Sequence, residues 1–404
     1  MSNSPQSGSP NPKPASPGRL VPVRLGRGEG DGGETILGFL PDPLPPEADW
    51  VGICGRQAEG LLGATLALGR LDGLAGRLPH PDLLLRPLWA REAQLSSRIE
   101  DVVTTAEEVA LIGTGDESDE AREVWNYLRA LERGMDVSGA IDADLLCALH
   151  EILMDGVRGR EKAPGRLRDR AVWIGRPGSG PRSARYVPPG ASRLEKLLED
   201  LAAFIAAPSE RIPKLVAIAL AHYQFEAIHP FLDGNGRVGR LLISLLLCRY
   251  GLIERPLVYV SAYIDKHKRT YYDLLLGVSR DGAWEDWIAY FLDAVRTQAE
   301  DAAVRCGLLV KLRDDMLRRV LDSGKGGAKL DGLIDELFRQ PVLSVKMVTE
   351  SLDVTDVTAR RYVELLVSVG VLEEITGGTY AKRYACREVL RLIESDTPEI
   401  ELQG

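Results

Sequence analysis

The 404-residue sequence has little with which to build a disulfide scaffold, a membrane span or a general polyanion surface. Its five cysteines (Cys54, Cys147, Cys248, Cys306 and Cys386) are scattered, odd in number and never in a CxxC pair. That excludes a disulfide framework and a zinc ribbon, and fits a reducing, cytoplasmic setting. The longest apolar run, Leu241 to Cys248, stops at Arg249, far short of the ~20 residues a membrane helix needs. The N-terminal stretch MSNSPQSGSPNPKPASPGR lacks the apolar segment of a signal peptide, so a soluble protein with no membrane partner is expected. A net charge of −9 gives no electrostatic reason for general nucleic-acid or membrane affinity, so any anion site must be local. What is present is 45% hydrophobic and 27% charged residues, in a length that suits two or three domains.

The periodicity predicts a mainly α protein. Residues 1–45, rich in Pro, Gly and Ser, read as disordered. Helical patterns then fill an N-terminal region over 46–118, as one long helix or two short ones from Asp49 and further stretches over 81–100 and 105–112. A core over 119–300 continues with helices at 142–153, 194–207, 213–225, 237–250, 271–278 and 284–306. Its one break is 170–193, where the β-prone runs Val172–Ile174 and Arg185–Val187 predict a hairpin-like flap. Residues 301–325 read as a helical linker, and SGKGGAK (323–329) as the joint to a different module. Helices over 330–338, 344–352 and 356–369, then a hairpin over 371–386, follow the winged-helix order within 326–395. A short tail, 396–404, ends the chain.

The chemistry concentrates in His229–Arg240, HPFLDGNGRVGR. Gly234–Asn235–Gly236 is a permissive loop directly before an apolar helix, and unpaired N–H groups at a helix start make an anion site. Arg237 and Arg240, three apart, are expected on one face, clamping phosphate oxygens with forked donors. Asp233 is a hard oxygen ligand suited to a Mg²⁺ shared with phosphates. His229 is the residue here whose ordinary pKa suits proton abstraction near neutrality. Together these describe a phosphoryl- or nucleotidyl-transfer site.

This stretch resembles the signature of the Fic family, HxFx(D/E)GNGRxxR, at every specified position. The resemblance implies a helical core with a β-hairpin flap and transfer of AMP from ATP to a hydroxyl of a target protein. On that pattern His229 is the base, and Asp233 holds Mg²⁺, or Mn²⁺ in its place, against the α- and β-phosphates. Gly234, Asn235, Gly236 and Arg237 form the anion hole, and Arg240 meets the γ-phosphate. Phe231 is a buried anchor. Family members that phosphorylate instead carry Lys where this chain has Gly236, so AMP transfer is implied. SSRIED (96–101) resembles the family's inhibitory motif (S/T)xxxE(G/N): Ser96 and Glu100 stand four apart, and Glu100 would reach Arg240 and keep ATP from seating productively. Asp101 departs from the motif's Gly or Asn, and Ser97 with Glu100 also fits a helix capping box. Ser183, Ala184, Arg185 and Tyr186 resemble the flap that borders the nucleotide, and Tyr271–Tyr272 a tyrosine pair lining the adenine pocket. Ser279 stands where some relatives have Asn. His222 reads as structural.

The C-terminal module carries Arg360, Arg361, Lys382 and Arg383, yet residues 325–391 hold ten Lys/Arg against ten Asp/Glu. Affinity for DNA is dominated by phosphate neutralisation, so protein contact or a homodimer is favoured over DNA as its role. The expected partners are ATP and a target protein, the chain itself included. Two alternatives remain at this stage: removal of AMP by the same site, and a nucleotide-sensing DNA-binding regulator.

Overall fold

A computed structural model describes residues 17–25, 34–78, 80–112, 118–157, 162–176, 178, 180–377 and 382–396. The chain opens on an antiparallel hairpin, β1 (Gly18–Arg24) and β2 (Thr35–Pro41), in the register Gly18 opposite Pro41 to Arg24 opposite Thr35. This corrects the expectation of disorder over residues 1–45, of which 1–16 and 26–33 lie outside the described residues. Averaged composition concealed two short apolar stretches whose burial is long-range. Val23, Phe39 and Leu40 are buried, Phe39 N–H donates to Val187 C=O at 2.8 Å, and Gln224 Nε2 donates to Asp42 C=O at 2.9 Å.

The helices then run α1 (Trp50–Arg56), α2 (Ala58–Ala75), α3 (Pro81–Leu84), α4 (Arg86–Ile99), α5 (Ala106–Ala110), α6 (Asp119–Asp136) and α7 (Ala143–Leu153). Several starts follow from local chemistry. Thr105 and Glu108 form a reciprocal capping box on α5, and Ser118 and Asp142 accept backbone N–H bonds that begin α6 and α7. The acidic segment GTGDESDE (113–120), whose composition suits a turn and helix start, lies outside the described residues over 113–117. After the flap come α8 (Leu194–Ala206), α9 (Lys214–Ile228), α10 (Asn235–Arg249), α11 (Val260–Lys266), α12 (Lys268–Asp281) and α13 (Trp284–Asp322).

The centre of the molecule is α9. It is apolar on nearly every side and, Glu226 apart, is buried from Leu215 to Ile228, as an all-round apolar helix must be. It packs on α8, α10, α13 and β2, with α2 lying along α13. The flap is a hairpin only in outline: one antiparallel bridge joins Ile174 to Tyr186, with Ile174 N–H donating to Tyr186 C=O at 2.8 Å.

The expected linker over 301–325 is instead the second half of α13. Cys306, Leu309, Leu312, Met316 and Val320 are buried along it, because α13 continues as one face of the core. Beyond Ser323–Gly327 follow α14 (Ala328–Arg339), β3 (Val342–Ser344), α15 (Val345–Leu352), α16 (Asp356–Ser368), β4 (Glu373–Glu374), β5 (Arg383–Ala385) and α17 (Arg387–Glu394). The three strands form one antiparallel sheet in the order β3–β5–β4. The turn expected at Gly377–Gly378 lies partly outside the described residues.

Candidate active site

Helices α9 and α10 are both deeply buried, so the loop between them is fixed at each end. His229 closes α9 in the left-handed conformation (φ 50°), its N–H donating to Phe225 C=O at 2.9 Å. Phe231 is buried and stacks on His150, with ring centroids 3.9 Å apart. Asn235 folds its side chain back over the loop: Oδ1 accepts from Phe231 N–H and Nδ2 donates to Phe231 C=O, both at 2.9 Å. The expected place of Asn235 in an anion hole is therefore limited to its backbone. Gly234 precedes α10 at φ 74°, and no side chain caps the helix. The first N–H groups of α10 thus lack an intrahelical acceptor, which makes its start an anion site.

Two arginines rise from this start, and the structure corrects their joint role as a clamp. Residues three apart on a helix differ by about 60° around its axis, enough here to aim each at a different neighbour. Arg237 turns to α6, where Nη1 donates to Glu123 Oε2 at 2.6 Å and Nη2 approaches Met154 Sδ at 3.5 Å. Its side chain is committed to the core, so Arg237 too offers the anion its backbone. Arg240 turns to α4: Nε donates to Ser96 Oγ at 2.9 Å, and Nη2 donates to Ser96 C=O and Glu100 Oε1, each at 2.8 Å.

The Glu100 carboxylate stands over the start of α10. A Cβ added to Gly236 would lie 2.3 Å from Glu100 Oε1, so the glycine is what lets the carboxylate sit there. Burial works to raise the Glu100 pKa, but the Arg240 guanidinium overrides it and holds the carboxyl below its usual range. Ser97 lies inside the last turn of α4, not at a helix start, which removes the capping-box alternative. Asp101 has φ 62°, a left-handed position that Gly and Asn adopt readily and Asp tolerates. That is the physical reason a motif would prefer Gly or Asn there, and why Asp serves.

His229 shows the environment expected of a neutral imidazole. Burial, and then the Arg168 cation, push its pKa down to about 4. Arg168 was not singled out by sequence reasoning. It is buried, and its guanidinium donates to the carbonyls of His229 (2.8 Å), Ile228 (3.3 Å), Arg170 (3.1 Å) and Pro189 (2.6 Å). One side chain thus ties the motif loop to the flap exit. His150 was missed as well. Its Nε2 donates to Asp233 C=O at 3.1 Å and its Nδ1 accepts from Gly165 N–H at 3.0 Å, roles dictated by a carbonyl and an amide as partners. Neither residue carries a spacing signal, since apart from Arg170 C=O every partner lies 15 or more residues away.

The softer expectations divide. Tyr271 is buried, its hydroxyl 2.8 Å from His222 Nε2, while His222 Nδ1 donates to Gly239 C=O at 2.9 Å. Tyr271 is thus buried in the core, and both ring nitrogens of His222 are engaged, as a structural histidine's would be. Tyr272 is half-buried beside it. Ser279 is also core, its hydroxyl 2.9 Å from that of Tyr223. In the flap, Ser183 is exposed and Ala184 half-buried, whereas Tyr186 turns inward and donates to Ala227 C=O at 2.8 Å. Arg185 pairs with Asp273, one residue beyond Tyr272, and so links the flap to α12.

Asp233 is exposed at the mouth of the loop, with Oδ1 accepting from Gly234 N–H at 2.7 Å. No group of three or more His, Cys, Asp or Glu suited to a metal occurs among the described residues. The remaining Asp233 oxygen suits a hard cation that keeps most of its waters and shares phosphate oxygens. The start of α10, the buried imidazole of His229 and the carboxylate of Glu100 thus converge on one small region of the helical core.

Residues 140–247 match the family model described as Fic/DOC family, and residues 59–136 that of the Fic/DOC family N-terminal region. The chain is similar to "Protein adenylyltransferase Fic" of Drosophila erecta, 32% identical over 132 residues covering 32% of this chain and 23% of that protein. The same-named protein of Drosophila grimshawi is 33% identical over 109 residues, covering 27% and 21%. The chain thus spans under a quarter of the length of these curated relatives. A crystal structure of a Fic family protein from Desulfovibrio desulfuricans G20 shares the fold, with a TM-score of 0.55 and 24% identity over 85% of this chain and 98% of that one. The chain thus carries a Fic/DOC family match over 140–247, preceded by a match to that family's N-terminal region over 59–136. Among the described residues no helix is long and apolar enough to cross a membrane.

Proposed function

We propose that this protein transfers AMP from ATP to a Tyr, Ser or Thr hydroxyl of a target protein, and that Glu100 holds the activity down. The observation that carries this reading is the carboxylate of Glu100 lodged between Arg240 and the start of α10, the position an anionic phosphate would take. The target hydroxyl attacks the α-phosphorus, the α–β anhydride bond breaks, and pyrophosphate leaves. His229, neutral before the attack, takes the hydroxyl proton, and the triphosphate's negative charge stabilises the imidazolium that results. The backbone N–H groups of Asn235, Gly236 and Arg237 hold phosphate oxygens, and Arg240 receives the γ-phosphate once Glu100 leaves. Mg²⁺, or Mn²⁺, held by Asp233 would neutralise phosphate charge. Arg185, Ser183 and Ala184 border the nucleotide at the flap, with Tyr272 toward the base. The elements from α14 to α17 have the order of a winged helix, whose charge balance favours protein contact over DNA.

The test uses ATP labelled on the α-phosphate, with Mg²⁺, on the parent, Glu100→Gly, and Glu100→Gly with His229→Ala. Label is expected on protein only in the single variant, and adding His229→Ala should lower it about 10²- to 10⁴-fold. No label on any of the three, with ATP still bound, overturns AMP transfer.

A further inference from the structure

Helix α4, which presents Ser96 and Glu100 to Arg240, is held from behind by the far end of the chain. The last carbonyls of a helix lack intrahelical partners and carry its negative dipole end. Those of α17 are met by two buried guanidiniums. Arg91, on α4, donates through Nη1 to Ile393 C=O at 2.7 Å. Arg305, on α13, donates to Leu392 C=O and Ser395 C=O, each at 2.8 Å. Burial and then the neighbouring Arg305 cation lower the Arg91 pKa, and Arg305 also pairs with Asp301 at 2.8 Å, so the α17 carbonyls share the compensation of the two cations with that carboxylate. The seat extends over α5, whose start is capped by Glu394 accepting from Ala106 N–H at 2.7 Å, with Arg387 paired to Glu107 beside it. Gln340, just past α14, donates to Ala110 C=O at the other end of α5.

From its other side α4 is anchored to the core. Glu92 Oε1 accepts from Ser261 Oγ at 2.6 Å and from Tyr127 at 3.2 Å. The inhibitory carboxylate therefore sits at the end of a helix clamped between the core and the C-terminal module, and nine residues separate Arg91 from Glu100, about 14 Å along the helix. We propose that the C-terminal module is the regulatory handle of the site. Seated on Arg91 and Arg305, it keeps α4 in the position that places Glu100 over the α10 start, and drawing it off that seat frees the anion position. This rests on the reading of Glu100 as inhibitor and goes beyond it by naming what controls the inhibitor.

The test compares the full-length parent with Arg91→Met by backbone hydrogen exchange over residues 96–102 and by protein labelling from α-labelled ATP. Loss of a charge-assisted hydrogen bond at the seat should speed exchange there about tenfold, and labelling should rise with it. In a Glu100→Gly background Arg91→Met should add nothing, because the handle acts through that carboxylate. Exchange unchanged over 96–102, or a labelling rise that persists without Glu100, overturns the proposal. If Glu100→Gly itself takes no label, AMP transfer fails as a reading while exchange still decides the handle. If Arg91→Met does not fold, exposed Glu394→Lys sets a cation against the start of α5 and should move exchange the same way by about threefold.

Discussion

The two flanks of the α10 start carry the same chemical device to different ends. On the α6 flank Arg237 meets Glu123, and both side chains are sealed, 5% and 8% exposed. On the α4 flank Arg240 meets Glu100, where the arginine is 1% exposed but the carboxylate 35%. Removing one partner of a sealed pair strands a charge in the core, whereas a half-open carboxylate can withdraw into water. Arg240 also keeps two bonds to Ser96 when Glu100 departs. The first pair is sealed in the core, and the exposure of Glu100 in the second is what the proposed release of that carboxylate requires.

The comparison breaks most visibly at Glu123. Glu123→Ala should cost about 3–5 kcal/mol of stability, read from denaturant unfolding, because Arg237 is left buried. Glu100→Gly should cost under about 1 kcal/mol in the same experiment, since its carboxylate is already partly solvated. Comparable losses for the two variants would erase the distinction. Gly236→Ala sharpens it from a third side. Its Cβ enters the space that Glu100 occupies and a phosphate would need, so ATP affinity should fall, whereas Glu100→Gly should raise it; isothermal titration reads both.

Acidification probes the open pair with a defined sign. The Glu100 carboxyl is depressed by Arg240, so the pair's contribution is complete above the ordinary carboxyl value and is lost only as pH falls through the depressed one. Label transfer by the parent should therefore be no greater at pH 5.5 than at pH 7.5. In Glu100→Gly the acid limb of kcat/KM should lie below the ordinary histidine value, because burial and Arg168 depress His229. The smallest effect is expected at Asp101. Asp101→Gly relieves a left-handed conformation but loosens the unfolded chain, and stability should move by less than about 0.5 kcal/mol.

Much of this site was legible because it is local. His229, Asp233, Gly234 to Arg237 and Arg240 fall within twelve residues of sequence, and a loop before an apolar helix fixes their neighbourhood. Glu100 was legible through its spacing from Ser96. What sequence reasoning missed is what joins distant segments. Arg168 acts by bonding carbonyls up to 61 residues away, and Glu123 meets Arg237 across 114. Spacing also misassigned Arg237, because a shared helical face does not reveal which neighbouring helix offers a carboxylate. The N-terminal hairpin was hidden for the same reason: β2 is seated against α9 and Val187, far along the chain, and β1 pairs with β2.

The continuity of α13 has a mechanical consequence. At 39 residues it is a rod about 58 Å long, on which a tilt of about 5° sweeps one end some 5 Å relative to the other. Its first turns hold Trp287 near His222 and Tyr271, and its last turns hold Arg313 against Asp335 and Arg319 against Glu388. An unbroken rod conveys torque where a flexible tether would dissipate it. A small rotation of the C-terminal end would therefore be felt at Trp287, His222 and Tyr271 near the other end.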